Sequence, residues 1–125
     1  MNALIKQVEQ WSIDKGLDKA NPRDQFLKVT EEVGEVAAAL ARGDKLALID
    51  GIGDVVVTLI LLAQQNGLEL QDCLQYAYDE IKGRKGKMVD GVFVKEADLK
   101  QLDEADAEFE RIQITLDEVV EGDNE

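Results

Sequence analysis

The sequence contains no histidine and a single cysteine among its 125 residues. Without histidine, the chain cannot form Ser-His-Asp or Cys-His catalytic groups or a histidine-based zinc site. With one cysteine it cannot form an intramolecular disulfide, which suits a reducing compartment. The apolar neighbours Leu70, Leu74 and Ala77 predict a core position for Cys73.

Long hydrophobic runs are also missing. The longest nearly apolar run, residues 55–63, is interrupted by Thr58 and falls well short of the roughly 20 residues that cross a bilayer. No basic-then-apolar leader is recognisable. We therefore expect a soluble cytoplasmic protein without a membrane partner, of a length that suits one folded domain.

Negative charge dominates the chain, but unevenly. The net charge is -13, and residues 97–125 hold eleven acidic residues against two basic ones, a net charge of -9. The first 96 residues therefore carry only -4. We expect an acidic C-terminal helix or a partly disordered tail at 97–125, and a functional domain at 1–96.

The apolar spacing predicts helices through most of the domain. A stripe that includes Leu4, Val8 and Trp11 indicates a first helix, and Asn21 followed by Pro22 is a typical start for a second that runs to Gly43. Asp44 would cap a third segment that reaches Gly67. Its β-branched second half is compatible with a buried strand, but its length of about 22 residues favours a central helix.

The pattern then changes. Residues 68–82 predict a fourth helix, and an Asp-Gly pair at 90–91 between short apolar runs predicts a hairpin or extended arm. Leu99, Leu102, Phe109 and later apolar residues suggest a final amphipathic helix. The predicted fold is all-α, with a four-helix core, a small β-hairpin or arm after helix four and an acidic C-terminal helix or tail.

Two acidic clusters carry the chemistry. Glu32 and Glu35 are three residues apart on helix two, and Asp50 and Asp54 are four apart on helix three, so each pair shares a helix face. Carboxylates about 4 Å apart repel by roughly 4 kcal/mol at an effective dielectric near 20. Oxygen-only ligands favour a hard cation, Mg²⁺ or alternatively Mn²⁺, and phosphate chemistry is the natural reaction class.

Basic and aromatic residues offer contacts for a phosphorylated substrate, each with a structural alternative. Lys28 could contact phosphate or form a helix salt bridge to Glu32. Lys82 and Arg84 lie in the densest basic stretch, which could bind phosphates or complement a helix terminus. Trp11 could stack on a nucleobase or belong to the core.

The order Glu31-Glu32-Val33-Gly34-Glu35, then Gly53-Asp54-Val55, then a long apolar helix and a basic segment at 82–87 resembles the MazG-like all-α nucleoside triphosphate pyrophosphohydrolases. The resemblance covers roughly residues 8–95. It implies hydrolysis of NTPs or dNTPs to monophosphate and pyrophosphate, with Mg²⁺ held by matching residues Glu32, Glu35 and Asp54. Glu35 is expected to orient or deprotonate the attacking water.

The chain departs from the family pattern at two positions. Gly51 occupies the place of a family glutamate, and Asp50, on the face of Asp54, is the expected replacement ligand. The family's Asn-x-x-Lys element appears with Asp79 in place of Asn, followed by Lys82.

The second half of helix three is apolar on all sides, which predicts a covering subunit and at least a homodimer, and the resemblance adds a homotetramer as the alternative. No polymeric nucleic acid is expected as a partner. Two other readings stay open: a non-catalytic acidic helical binding module, and a dUTP or phosphoribosyl-ATP hydrolase of the same superfamily.

Overall fold

The computed structural model describes residues 2–123, so Met1 and residues 124–125, with the acidic Glu125, lie outside the described part. Five α-helices and one two-stranded hairpin make up this part of the chain. This confirms the predicted all-α class with a small hairpin after the fourth helix. In chain order the elements are α1 (Asn2–Asp14), a short 3-10 helix (Leu17–Lys19), α2 (Pro22–Arg42), α3 (Lys45–Gln65), α4 (Leu70–Ile81), β1 (Gly86–Val89), β2 (Val92–Lys95) and α5 (Glu96–Asp123).

The capping residues set the helix boundaries as the sequence predicts. The Asn21 side chain accepts a hydrogen bond from the Arg23 N–H at 2.8 Å, and α2 ends at Gly43 in the left-handed conformation. The Asp44 carboxylate accepts from the Ala47 N–H at 3.1 Å and starts α3. The third segment is therefore one helix, and the strand alternative is wrong.

The chain divides into two compact units, Met1–Tyr78 and Asp79–Glu125. The first contains α1, α2, α3 and most of α4. Its core is formed by Ile5, Ile60 and Leu61, with partly buried apolar residues packed around them. The side chains of Gln64 and Gln65 donate to the backbone carbonyls of α1 and of the 3-10 helix, which ties α3 to the N-terminal segment.

The second unit contains the end of α4, the hairpin and α5. The strands pair antiparallel, with Val89 opposite Val92. Asp90 and Gly91 both have positive φ, 50° and 81°, as a two-residue type I′ turn requires. The Asp-Gly hairpin prediction is confirmed. The predicted domain boundary at residues 96 and 97 stays a prediction.

The prediction of a core position for Cys73 is wrong for the single chain. Cys73 is exposed, and no residue of α4 is buried. The apolar stripe of α4 is real, with Leu74, Tyr78 and Ile81 on it, but about half of each of these side chains is accessible. Periodicity identifies an apolar face without showing what covers it.

Helix α3 is long and apolar enough to cross a membrane by length and composition alone. Asp54 lies near its middle, and a charged carboxylate at a bilayer centre costs about 2.5–3.5 kcal/mol on insertion scales. Its neighbours α1 and α2 pack against it, as around the central helix of a helical bundle.

Candidate active site

Helix α2 presents three carboxylates along one side. Glu31 and Glu35 are one turn apart, with Glu32 beside them. Glu31 is paired with Lys28, whose Nζ lies 3.3 Å from its Oε2. Lys28 therefore forms its salt bridge with Glu31 and not, as the structural alternative predicted, with Glu32. The Glu32 carboxylate is left for other partners.

Helix α3 runs antiparallel to α2 and presents Asp50 and Asp54. Gly51 makes the close approach possible: a Cβ added there would lie 3.1 Å from Cγ2 of Val36. Gly51 is buried, whereas a Cβ on Gly53 would meet no atom within 4 Å. Of the two glycines, Gly51 permits the helix contact and brings the acidic faces together.

The two faces meet at one cavity of about 290 Å³. It contains all four of the predicted metal ligands, together with one further acidic residue and one basic residue. The lining residues are Glu31, Glu32, Glu35, Arg42, Ala47, Asp50, Gly51 and Asp54. The structure thus places the carboxylates of both clusters around a common space.

The cavity is a site of like-charge crowding. Partial burial raises the pKa of Glu32 above its ordinary value, and the negative charges of Asp54, Glu31 and Glu35 raise it further. Lys28 acts in the opposite direction, but as the smallest contribution. Because charge on α3 acts on a carboxylate of α2, the two helices are electrostatically coupled across the cavity.

The donor chemistry fits a hard divalent cation. The lining side chains offer carboxylate oxygens and neither sulfur nor imidazole, and the effect on the pKa of Glu32 shows an excess of negative charge. Within residues 2–123, however, no three Asp, Glu or Cys side chains converge closely enough to hold an ion as they stand. Binding would therefore draw Glu32, Glu35, Asp50 and Asp54 inward.

The sequence profile of the MazG nucleotide pyrophosphohydrolase domain matches residues 21–89, more than half of the chain. The chain belongs to the MazG nucleotide pyrophosphohydrolase family. The matched segment includes both acidic clusters. Family members generally use divalent metal ions. Family membership favours an enzyme over a non-catalytic binding module.

A phage protein is similar to part of the chain. It is an uncharacterized 18.2 kDa protein in the rep-hol intergenic region of Haemophilus phage HP1 (strain HP1c1), 37% identical over 70 residues. The alignment covers 55% of this chain and 43% of the phage protein, so the chain matches less than half of that relative's length. No solved structure matches the chain at a significant level.

Arg42 is the functional candidate that the sequence analysis missed. It lines the acidic cavity of this MazG-family chain, and none of the ion pairs among the described residues involves it. Its spacing could have revealed it, because Arg42 follows Glu35 by seven residues, two helical turns on the same face. Because a basic residue near the end of a helix interacts favourably with the helix dipole, the position of Arg42 alone did not indicate a binding role.

The predicted phosphate contacts Lys82 and Arg84 belong to the second unit. Lys82 forms an ion pair with Asp79, with Nζ 3.0 Å from Oδ1. In the first unit, Lys28 and Arg42 both lie on α2, and of the two Arg42 lines the acidic cavity. The phosphate roles of Lys82 and Arg84 stay predictions.

A second, apolar cavity of about 550 Å³ adjoins the acidic one. Asp50 and Asp54 line both cavities. The other residues that line the apolar cavity belong to α1 and α3. Trp11 is 46% exposed, which disfavours a core role in the single chain. It lines a neighbouring groove with Val8 and Val57, two residues that also line the apolar cavity.

Proposed function

We propose that this chain is a Mg²⁺-dependent nucleoside triphosphate pyrophosphohydrolase that releases nucleoside monophosphate and pyrophosphate, with Mn²⁺ as an alternative metal. The observation that carries the proposal is the cavity shared by Glu32, Glu35, Asp50 and Asp54, within a family of nucleotide pyrophosphohydrolases. Four carboxylates around one space suit a cation, and a bound cation suits a triphosphate.

In this proposal the four carboxylates hold the metal, which would neutralise phosphate charge and activate water when bound. Asp50 takes the place of the glutamate ligand that the family has at the position of Gly51. Restoring a glutamate at 51 would not do the same, since its Cβ alone would crowd Val36.

Glu35 orients the attacking water and accepts its proton. The water oxygen forms a bond to the α-phosphorus, the bond from that phosphorus to the bridging oxygen breaks, and pyrophosphate leaves with the electron pair. Arg42 and Lys28 supply positive charge for the phosphate oxygens. A guanidinium suits this task because its donors can bind two oxygens at once.

The apolar cavity offers a place for the nucleoside. It shares Asp50 and Asp54 with the acidic cavity, so a base held there would leave its phosphates beside the carboxylates. Trp11 borders this region and is accessible for stacking. Lining by valine, leucine and isoleucine supports binding of a base without identifying it, and dUTP hydrolysis is the alternative within this proposal.

We further propose a homodimer or a homotetramer in the cytoplasm. Apolar residues of both acidic helices stay exposed in one chain, among them Val33 at 51% and Ile52 at 53%. Such a surface is typical of a subunit interface. Sedimentation should therefore give at least twice the 13.8 kDa mass of the chain.

Two substitutions with matched controls test the assignment. Glu35→Gln and Asp54→Asn should each lower pyrophosphate release by at least about 100-fold, the scale of losing a catalytic electrostatic group. Glu31→Gln and Asp44→Asn make the same chemical changes outside the proposed ligand set, and both should retain activity. Circular dichroism should show helix content unchanged in all four. Full activity in Glu35→Gln and Asp54→Asn would overturn the proposed site.

A further inference from the structure

Helix α5 carries an apolar seam that neither the family match nor the proposed site uses. From Leu102 onward, apolar residues recur with spacings of 3, 4, 3, 4 and 3, the heptad pattern of a coiled coil. The six positions are Leu102, Ala105, Phe109, Ile112, Leu116 and Val119. The seam lies beyond residue 89, where the family match ends.

Beyond Leu102, which is half-buried, the seam is exposed in the single chain. Phe109 is 67% exposed, and Ile112, Leu116 and Val119 are each exposed by more than half. No residue of α5 that the structure describes is buried. The exposed part of the seam, from Ala105 to Val119, therefore requires a second helix to cover it.

The acidic residues leave this seam accessible to a copy of itself. With Leu102 and Phe109 at heptad position a, six of the eight acidic residues between 102 and 122 fall at the outer positions b, c and f. Only Asp106 and Glu108 occupy the flanking positions e and g. The charge of the segment thus points mainly away from a partner helix.

Side-chain volume favours an antiparallel pair. A parallel pair would stack Ala105 on Ala105 and Phe109 on Phe109, leaving one layer underfilled and the next overfilled. An antiparallel pair instead matches Ala105 with Leu116 and Phe109 with Ile112, so that every layer combines a larger and a smaller residue.

The flanking charges allow the same arrangement. In this antiparallel register, Asp106 lies opposite Gln113 of the second copy, and Glu108 lies opposite Thr115 of the second copy. Neither pairing sets like charges against each other, which would destabilise a coiled coil. The opposed helix dipoles of an antiparallel pair also favour this arrangement.

We propose that α5 pairs with α5 of a second copy of this chain as a short antiparallel coiled coil through residues 102–119. The proposal concerns an interaction surface and is independent of the enzymatic assignment. A basic helix of another protein, or another part of the same chain, is a rival occupant of the seam.

Disulfide trapping in the full chain tests the proposal. All variants carry Cys73→Ser, because Cys73 is exposed and would form unwanted disulfides. The double variant Ala105→Cys/Leu116→Cys should form a covalent dimer as its main species in a glutathione redox buffer. The two positions are about 16 Å apart along one helix, too far for a disulfide within a chain.

The single variants and an outer-face control make the result specific. Ala105→Cys or Leu116→Cys alone should stay monomeric on non-reducing gels, since like positions are also about 16 Å apart in an antiparallel pair. Ala105→Cys/Ile114→Cys, which puts the second cysteine on the outer face, should not cross-link. If the Leu116 variant fails to fold, Leu102→Cys/Val119→Cys tests another layer of the same register.

Cross-linking of the single variants would overturn the antiparallel arrangement. Absence of cross-linking in every correctly folded variant would show that something other than a second α5 covers the seam, and would overturn the proposal. Pyrophosphate release is not part of this readout, so the result stands whether or not the chain hydrolyses nucleotides.

Discussion

Glu32 is the residue at which the charges of both acidic helices act together. Its pKa is raised by burial and by the carboxylates of Asp54, Glu31 and Glu35. An acid whose pKa is higher in the folded state binds its proton more tightly there. The metal-free protein should therefore lose stability as the pH rises from the ordinary glutamate value of 4.5.

Glu32→Gln removes this charge and should stabilise the metal-free protein at pH 7. At pH 4, where Glu32 is largely protonated in the folded and unfolded states alike, the gain should be much smaller. Thermal unfolding in a chelator at both pH values measures the difference. Glu31→Gln is the matched control and should show a smaller gain, because removing this charge also breaks its ion pair with Lys28. An equal effect of Glu32→Gln at both pH values would contradict this account of its pKa.

Gly51 and Gly53 form a natural pair for testing the helix contact. Both lie inside α3, where alanine is favoured over glycine by roughly 1 kcal/mol. Gly53→Ala meets no neighbour and should stabilise the protein by about that amount. Gly51→Ala places its Cβ against Val36, and overpacking of this kind costs about 1–3 kcal/mol.

Urea unfolding should therefore show Gly53→Ala as more stable than the parent chain and Gly51→Ala as less stable. Adding Val36→Ala to Gly51→Ala should remove the clash and cost less than the two changes separately. If Gly51→Ala proved as stabilising as Gly53→Ala, the close approach of α2 and α3 at Val36 would be wrong.

At the scale of single elements, helix α2 supplies both carboxylates and one positively charged guanidinium to the cavity. Glu35 and Arg42 lie two turns apart on one face, so one helix would orient both the proposed metal ligand and the proposed phosphate contact. Removing a hydrogen bond to a charged group costs about 1.5–3 kcal/mol, or roughly 10- to 150-fold in binding. Arg42→Gln should therefore raise the KM for a nucleoside triphosphate by at least about tenfold.

Arg23→Gln makes the same change on the same helix, and Arg23 does not line the cavity. Its KM should match that of the parent chain. Arg42→Lys should recover only part of the loss, because an ammonium cannot reproduce the fork of a guanidinium. Equal KM values for Arg42→Gln and Arg23→Gln would exclude Arg42 from substrate binding.

The helices themselves were largely predictable, because their boundaries depend on local chemistry. Asn21 and Asp44 cap helices in the structure through the hydrogen bonds that their side chains suggest. The Asp90-Gly91 turn likewise follows from the φ values that these residues tolerate. Pairing of the acidic faces was also predictable, since a two-residue connection makes consecutive helices antiparallel neighbours.

Features that depend on packing between elements were harder to predict. Cys73 was expected in a core because its neighbours are apolar, but periodicity cannot distinguish a face that packs within the chain from one left exposed. Lys28 pairs with Glu31, three residues away, instead of Glu32, four residues away, and helix geometry allows both spacings. Arg42 was missed because its role depends on α3 lying opposite, which the sequence of α2 does not show.

At the scale of the whole molecule, a helical pair of MazG type carries the acidic cavity, and apolar surfaces elsewhere stay exposed. The acidic cavity lies within the first unit, and the seam of α5 lies within the second. The proposed catalytic site and the proposed pairing through α5 should thus be separable by substitution. The acidity of the C-terminal segment, expected from the sequence, falls mostly on the outer face of α5.

The central claim is that carboxylates from two helices hold a metal ion for hydrolysis of a nucleoside triphosphate. Its most direct test is to incubate the full chain with each NTP and dNTP, with and without Mg²⁺, and to measure pyrophosphate and monophosphate together. We expect equimolar release of both products from at least one nucleotide, dependent on Mg²⁺ and lost in Asp54→Asn. No metal-dependent release from any nucleotide, or release that Asp54→Asn leaves intact, would contradict it.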